Sequence, residues 1–424
     1  MLEFRQNLQK NSLDVGTTKD DSHLVVGIDA SRNRSGGARA HIQGILYHFD
    51  AEQGVKTVHL WAYQALLDEI ADRPWLVKHH HRLLERSLPF QLVWQAAFLK
   101  RAALRAECDI LFATDATSLC LYRPLVVLSQ DLLSYEPGVM QSYPHGYAHL
   151  RLQAIKIIQN LAFRRSRGVL FLTQYAADLI QQSCGRLSHT AIAPHGIDEA
   201  FRRINRPDPS DAPEGAERPI RCIYVSNADL YKHQWHVVEA IRLLRNRGYV
   251  AKLKLVGGGS GLAQKKLVDA MRRCDPAGQF VTQLNFVRHT DLPPLLAQAD
   301  IYIFASSCEN LPVILLEGMA AGLPIACSDR GPMPEVLQDG GVYFDPEHSD
   351  SIAAAVQSLI DSAELRAQVA RKARQLALKY TWKNCSRDTF AFLRGCCLTS
   401  GLDSKIRTPE QEKGLDFCSG QDGP

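Results

Sequence analysis

Short, uninterrupted apolar runs alternate with segments of helical period along most of the chain. The runs at 23–30, 109–113, 124–129, 168–172, 221–225, 251–256 and 301–305 are rich in β-branched and aromatic residues. That is the signature of strands buried on both faces. Between them, 40–49, 173–182, 234–246 and 351–377 place apolar residues three and four apart, as amphipathic helices do. Strand alternating with helix predicts an α/β chain built on parallel sheets. The segment 202–219 is rich in Pro, Asp, Glu and Arg and nearly free of apolar residues, so it reads as a linker. It divides the chain into a unit at 23–201 and a second at 220–377, followed by an amphipathic helix at 378–394. Polar tails at 1–22 and 395–424 are expected to be disordered.

The most informative stretch runs from Ser306 to Glu335, directly after the apolar run 301–305. A helix is expected to begin near Asn310, with Pro312 in its first turn and Gly322 and Pro324 closing it. Strand, loop and helix N-terminus together make an anion seat, because unpaired N–H groups there carry partial positive charge. Glu309 and Glu317 are eight positions apart, close to a whole number of helical turns, so both can face one cleft. Glu317 sits among Leu315, Leu316 and Met319, and a carboxylate in apolar company needs hydrogen-bond partners. Sugar hydroxyls would serve.

Glu309, seven residues, Glu317, then Gly318-Met319-Ala320-Ala321-Gly322-Leu323-Pro324, and later Pro334-Glu335-Val336, resembles the donor-binding signature of retaining glycosyltransferases of the GT4 type. The resemblance is strong over 220–394 and loose over 23–200. It implies a GT-B fold, two Rossmann-like doubly wound domains facing each other across a cleft, with a nucleotide-sugar in the second. It also implies that Glu309 holds hydroxyls of the donor sugar, Glu317 those of the ribose, and the amides of Asn310 and Leu311 the diphosphate. In the run after 221–225 the family carries Arg and Lys five positions apart on the diphosphate. Lys232 matches, and Asn227 stands in the Arg place. Lys232 and Glu309 are thereby the catalytic candidates. Gly257 to Gly259 follow the next strand and let a nucleotide approach the backbone, and the base is expected near Asn285 to Arg288.

In the first half, the strand at 23–30 leads through Gly36 and Gly37 into a helix. By the resemblance these glycines face the cleft, near donor diphosphate and acceptor; the absence of Gly-x-Gly-x-x-Gly argues against a dinucleotide site. Gln130 and Asp131 lie at the carboxyl end of the strand 124–129, where doubly wound sheets meet their ligands. The family often has His-Asp here, so Gln130 keeps hydrogen bonding to sugar and loses acid/base chemistry. His195, in a turn before the linker, is a turn residue first and a cleft contact second. His145 and His149 are weaker acceptor-side candidates. Trp75, Phe90, Trp94 and Phe98 are interleaved with Arg82, Arg86, Lys100, Arg101 and Arg105. Such a basic amphipathic segment suits either a core-facing helix pair or the surface of an anionic membrane.

Composition narrows the classes only a little. A net charge of +4 is too small to argue for nucleic acid. Eleven cysteines with no Cys-x-x-Cys spacing read as reduced thiols, Cys308 being a buried spectator. No run is long and apolar enough to span a membrane, which predicts a cytoplasmic protein, at most peripheral on the inner face of a membrane. The expected activity is retaining transfer from a GDP- or UDP-sugar to a saccharide or lipid-linked acceptor in cell-surface polysaccharide synthesis. No cofactor and no metal are expected. The alternatives are a sugar-nucleotide epimerase of the same fold and a non-catalytic sugar-nucleotide-binding subunit.

Overall fold

The apolar runs become two sheets in the computed structural model, which describes residues 24–34, 36–51, 54–143, 146–205 and 219–406. The first has seven strands, β1 (Leu24–Asp29), β2 (Val55–Trp61), β3 (Leu76–His79), β4 (Ile110–Ala113), β5 (Leu125–Leu128), β6 (Gly168–Phe171) and β7 (Thr190–Ile192), in the order β3-β2-β1-β4-β5-β6-β7. The second has six, β8 (Ile220–Val225), β9 (Ala251–Val256), β10 (Val281–Leu284), β11 (Ile301–Phe304), β12 (Ile325–Ser328) and β13 (Val342–Phe344), in the order β10-β9-β8-β11-β12-β13. The pairings within both are parallel, with Val26 opposite Ile110 and Cys222 opposite Ile301. Strands β4, β5, β6, β11 and β12 are buried at every position, as their lack of polar alternation requires. Each sheet reverses its strand order once, between β1 and β4 and between β8 and β11. At such a switch point two neighbouring loops diverge and leave a crevice.

The helices that shape the cleft are α1 (Gly36–Tyr47), α2 (Tyr147–Arg165), α3 (Gln174–Cys184), α4 (Gln234–Asn246), α5 (Gly261–Cys274), α6 (Val313–Ala320), α7 (Met333–Leu337) and α8 (Trp382–Ile406). The expected single helix at 351–377 is two, Ser349–Asp361 and Ala363–Ala377, because the Ser362 side chain caps the second by accepting from Leu365 N at 3.1 Å.

Helix α8 returns to the first domain. A Cβ on Gly44 of α1 would lie 2.3 Å from the Trp382 ring, Ser386 Oγ donates to the Ile45 carbonyl at 2.8 Å, and Phe390 meets Phe49 edge-on at 4.7 Å. The helix continues to Ile406, past residue 394 where the sequence predicts a tail, and buried Cys396 on this extension packs against Gly168. Arg202, placed in the linker by the sequence, ends a short helix (Glu199–Arg202) and donates to the Ala377 and Tyr380 carbonyls. The rest of the predicted linker from 206 to 218, the tail at 1–22 and His145 lie outside the described residues. Among the described residues no helix is long and apolar enough to cross a membrane.

Candidate active site

The loop after β8 carries Lys232 and the loop after β11 carries Glu309, on the two sides of the second switch point. The loops are stitched together before any side chain is considered. Ser307 N donates to the Tyr231 carbonyl at 2.8 Å, Ala228 N to the Gly258 carbonyl at 3.0 Å, and Tyr224 Oη to the Lys232 carbonyl at 2.8 Å. His233, in the left-handed region at φ +48°, turns the chain into α4, and its Nε2 lies 2.8 Å from Ser307 Oγ. So held, Lys232 Nζ forms an ion pair with Glu309 Oε1, both side chains mostly buried. The two catalytic candidates therefore occupy each other, and a diphosphate would have to draw the ammonium away while Glu309 turns to hydroxyls. Cys308 between these groups is buried, and burial pushes its thiol far up, as expected of a spectator.

Helix α6 begins at Val313 rather than near Asn310, with Pro312 at its N-cap. The reason lies across the cleft. Asn310 Nδ2 donates to the Ser129 carbonyl at 2.9 Å and the Asn310 carbonyl accepts from Thr173 Oγ1 at 3.0 Å, which holds this residue in a loop. Among the described residues neither the Asn310 nor the Leu311 amide donates to a protein acceptor, so two unpaired N–H groups lie in the loop ahead of the helix. Glu317, inside α6 and 3 % exposed, accepts from His289 Nε2 at 2.6 Å. Burial raises its carboxyl above the ordinary range against the pull of that bond, and the same bond raises His289. His289 also packs on Phe201, at 5.1 Å between ring centres. His289 is not foreseen in the sequence, because a histidine five residues beyond the end of β10 carries no local signal.

On the first-domain side, buried Asn33 organises the glycine loop by donating to the Ala38 carbonyl at 2.8 Å and accepting from Thr114 Oγ1 at 2.6 Å. Gly36 starts α1 four residues earlier than expected, at φ +51° with open space around it, as close approach by a ligand requires. Gly37 lies beside His195, 3.9 Å from the position of an added Cβ to Nδ1. Gln130 sits at the end of β5 with a buried Nε2 that has no protein partner, and Asp131 turns back to accept from Leu133 N at 3.0 Å. His195 is buried, stacked on His41 at 4.7 Å and flanked by Trp382. It is a packing residue under the glycine loop.

Burial holds His195 near pKa 4 and lowers His41 well below its ordinary value, with His195 adding repulsion. Both folded values are depressed, so the unfolded chain binds more protons below about pH 6.5, and stability present above that pH is lost toward pH 4. For His195 alone the loss is about 3 kcal/mol by pH 4. Urea unfolding from pH 7 to 4 should show a falling midpoint, with a shallower fall in His195→Phe; equal slopes would contradict the assignment.

Two donor-side positions find different uses. Gly257, at φ +124°, is glycine because a Cβ would lie 2.3 Å from the Ser226 carbonyl oxygen, so its bareness serves loop packing. Asn227 is exposed and lines a cavity of about 530 Å³ with Tyr143, Gly258, Gly259 and Phe286. A second cavity, of about 360 Å³, lies between Glu317, Val313 and His289 on one domain and Gln43, Gly44 and Tyr47 on the other. The cleft thus has a carboxylate at each of two depths, one ammonium, and open volume on both sides.

Residues 208–376 match the family described as glycosyl transferases group 1. Over those residues, about two fifths of its length, the chain is similar to the glycosyl transferases group 1. The O-antigen chain mannosyltransferase B of Escherichia coli is 29% identical over 169 residues, 40% of this chain and 44% of that one. The alpha-D-kanosaminyltransferase of Streptomyces kanamyceticus is 26% identical over 297 residues, 66% of this chain and 74% of that one. The match to the first thus spans less than half of that relative. Anabaena HepE, solved in complex with UDP-glucose, superposes with a TM-score of 0.65 at 19% identity, covering 89% of this chain and all of that one. The fold is GT-B, and the Lys232–Glu309 pair lies inside the matched residues.

Proposed function

We propose that this chain moves a sugar from a nucleoside diphosphate donor to a saccharide or lipid-linked acceptor, with retention at the anomeric carbon and without a metal ion. The observation that carries the reading is the Lys232–Glu309 pair at the second switch point, with Glu317 about one turn inside α6. Transferases among the relatives, and a neighbour of the same fold that binds UDP-glucose, support it.

In the proposed reaction the bond between the anomeric carbon and the phosphate oxygen breaks, its electron pair leaving with the diphosphate. The acceptor hydroxyl oxygen bonds to the same face, and its proton passes to the departing phosphate oxygen. Lys232 and the free amides of Asn310 and Leu311 offset the charge that collects there. Gln130 donates from its unpartnered Nε2 to a sugar oxygen, and Glu309 orients the donor hydroxyls. The test is product analysis by NMR after incubation with sugar nucleotides and an acceptor panel in EDTA. A product of unchanged anomeric configuration is expected. Inversion, or turnover that EDTA abolishes, overturns the retaining, metal-independent reading.

A peripheral membrane position on the cytoplasmic side belongs to the same proposal. Residues 86–106 and 137–177 contain no acidic residue. Both crossovers, β3 to β4 and β5 to β6, run toward β7, and right-handed connections put their helices on one face of the sheet, opposite α1 and α8. Phe90, Val93, Phe98 and Leu104 are exposed there, as are Leu150, Ile157 and Leu161 of α2. Sedimentation with vesicles of about 30% anionic lipid should carry the protein down at low salt and release it at high salt. Ile157→Glu with Leu161→Glu should abolish binding, and no binding by the wild type removes the membrane from the account.

A further inference from the structure

The two domains are joined across the open side of the cleft by contacts that converge on Asn310. Helix α3 of the first domain begins with three amides that no residue of its own helix can accept. Ala176 N is taken by the N-cap side chain, Thr173 Oγ1, at 3.1 Å. The other two are taken from the opposite domain. Glu335 of α7 accepts from Gln174 N at 2.9 Å through one oxygen and from Tyr175 N at 2.7 Å through the other. A carboxylate spanning two amides at a helix N-terminus is a charge-assisted contact, strengthened by the helix dipole. Thr173 itself faces both ways, accepting within α3 while its hydroxyl donates to the Asn310 carbonyl at 3.0 Å. Asn310 Nδ2 reaches the Ser129 carbonyl beside Gln130.

We infer that Glu335 and Thr173 form a latch that closes the domains and, through Asn310, shapes the loop that receives the donor diphosphate; both are positioning residues. Both carboxylate oxygens of Glu335 are engaged by amides of α3. Its effect is on the fraction of molecules in which the Asn310–Leu311 amides are presented with the first domain already docked. Loss of the latch lowers that fraction, so the donor must close the cleft itself, and apparent affinity falls while turnover at saturating donor is retained. The kinetic part of this inference rests on the transferase reading above; the structural part does not.

The experiment is hydrogen–deuterium exchange on the full chain, with no ligand, for wild type, Glu335→Ala, Glu335→Gln and Thr173→Val, followed by donor kinetics. Glu335→Ala should speed exchange about tenfold at Gln174 and Tyr175, as expected for losing a charge-assisted bond. The same variant should speed exchange at Val313 and Leu316, whose amides bond to the Leu311 and Pro312 carbonyls, leaving Ile180 inside α3 unchanged. Thr173→Val should act on Val313 and Leu316 in the same way. Glu335→Gln, with one accepting oxygen left, should fall between alanine and wild type. In kinetics, Glu335→Ala should raise donor KM about tenfold with kcat kept, and glutamine should recover part of it. Exchange faster only at Gln174 and Tyr175 would make Glu335 a local cap and overturn the latch. So would faster exchange throughout α3, or KM and kcat changing together. If the wild type binds no sugar nucleotide, the transferase reading fails, and the exchange at Val313 and Leu316 still decides the latch.

Discussion

Lys232→Ala should cut turnover by about a hundred- to a thousandfold, the cost of removing one group that faces developing charge, with a much smaller change in donor affinity. Lys232 is fixed by its carbonyl bond to Tyr224 and by the turn at His233, and Asn227 supplies no second cation where the resemblance expects Arg. A lysine is a point charge, without the two-pronged geometry of arginine, so the amides of Asn310 and Leu311 must share the task. The substitution also strands Glu309, mostly buried and without its partner. Loss of the partner and loss of catalysis separate in the double variant: adding Glu309→Gln to Lys232→Ala should restore the thermal midpoint and leave turnover low. Kinetics of both variants check this, and a pure loss of affinity in Lys232→Ala would remove Lys232 from its catalytic role.

The second large effect is on binding. Glu317→Ala should weaken nucleotide binding by about a hundredfold, since a carboxylate gripping two ribose hydroxyls makes two charge-assisted bonds. Its hold on the free protein is another matter. Burial already disfavours the charge on Glu317, and among the described residues His289 is the one hydrogen-bond partner of its carboxylate. Removal should therefore cost the ligand-free fold little. Calorimetric titration against denaturation midpoints checks both halves, and a variant that unfolds without losing affinity would show Glu317 to be structural.

Strand positions were legible because a strand buried on both faces has to be apolar throughout: 301–305 and β11 differ by one residue, and 234–246 became α4 without change. Glu309, Glu317 and Lys232 stood out through spacing and the string around them. What was not legible depends on residues far apart in the chain. Asn310 stays out of α6 because Ser129 and Thr173 hold it, 181 and 137 positions away. His289 reaches Glu317 across 28 positions, and Glu335, visible as part of Pro334-Glu335-Val336, gave no hint that its partners are amides of the other domain. The tail at 395 was misjudged for a related reason: Cys396 is buried only because Gly168 leaves room for it. Gly257 shows the converse, a glycine whose use is packing against Ser226.

The most direct measurement is thermal unfolding of wild type and Glu317→Ala against a panel of nucleoside diphosphates and their sugars, with and without magnesium. A ligand at about a hundred times its dissociation constant adds roughly 2.7 kcal/mol to the native state. The account predicts a clear upward shift of the wild type with one base, indifferent to magnesium and lost in Glu317→Ala. No shift with any nucleotide, or an equal shift in both proteins, would contradict it.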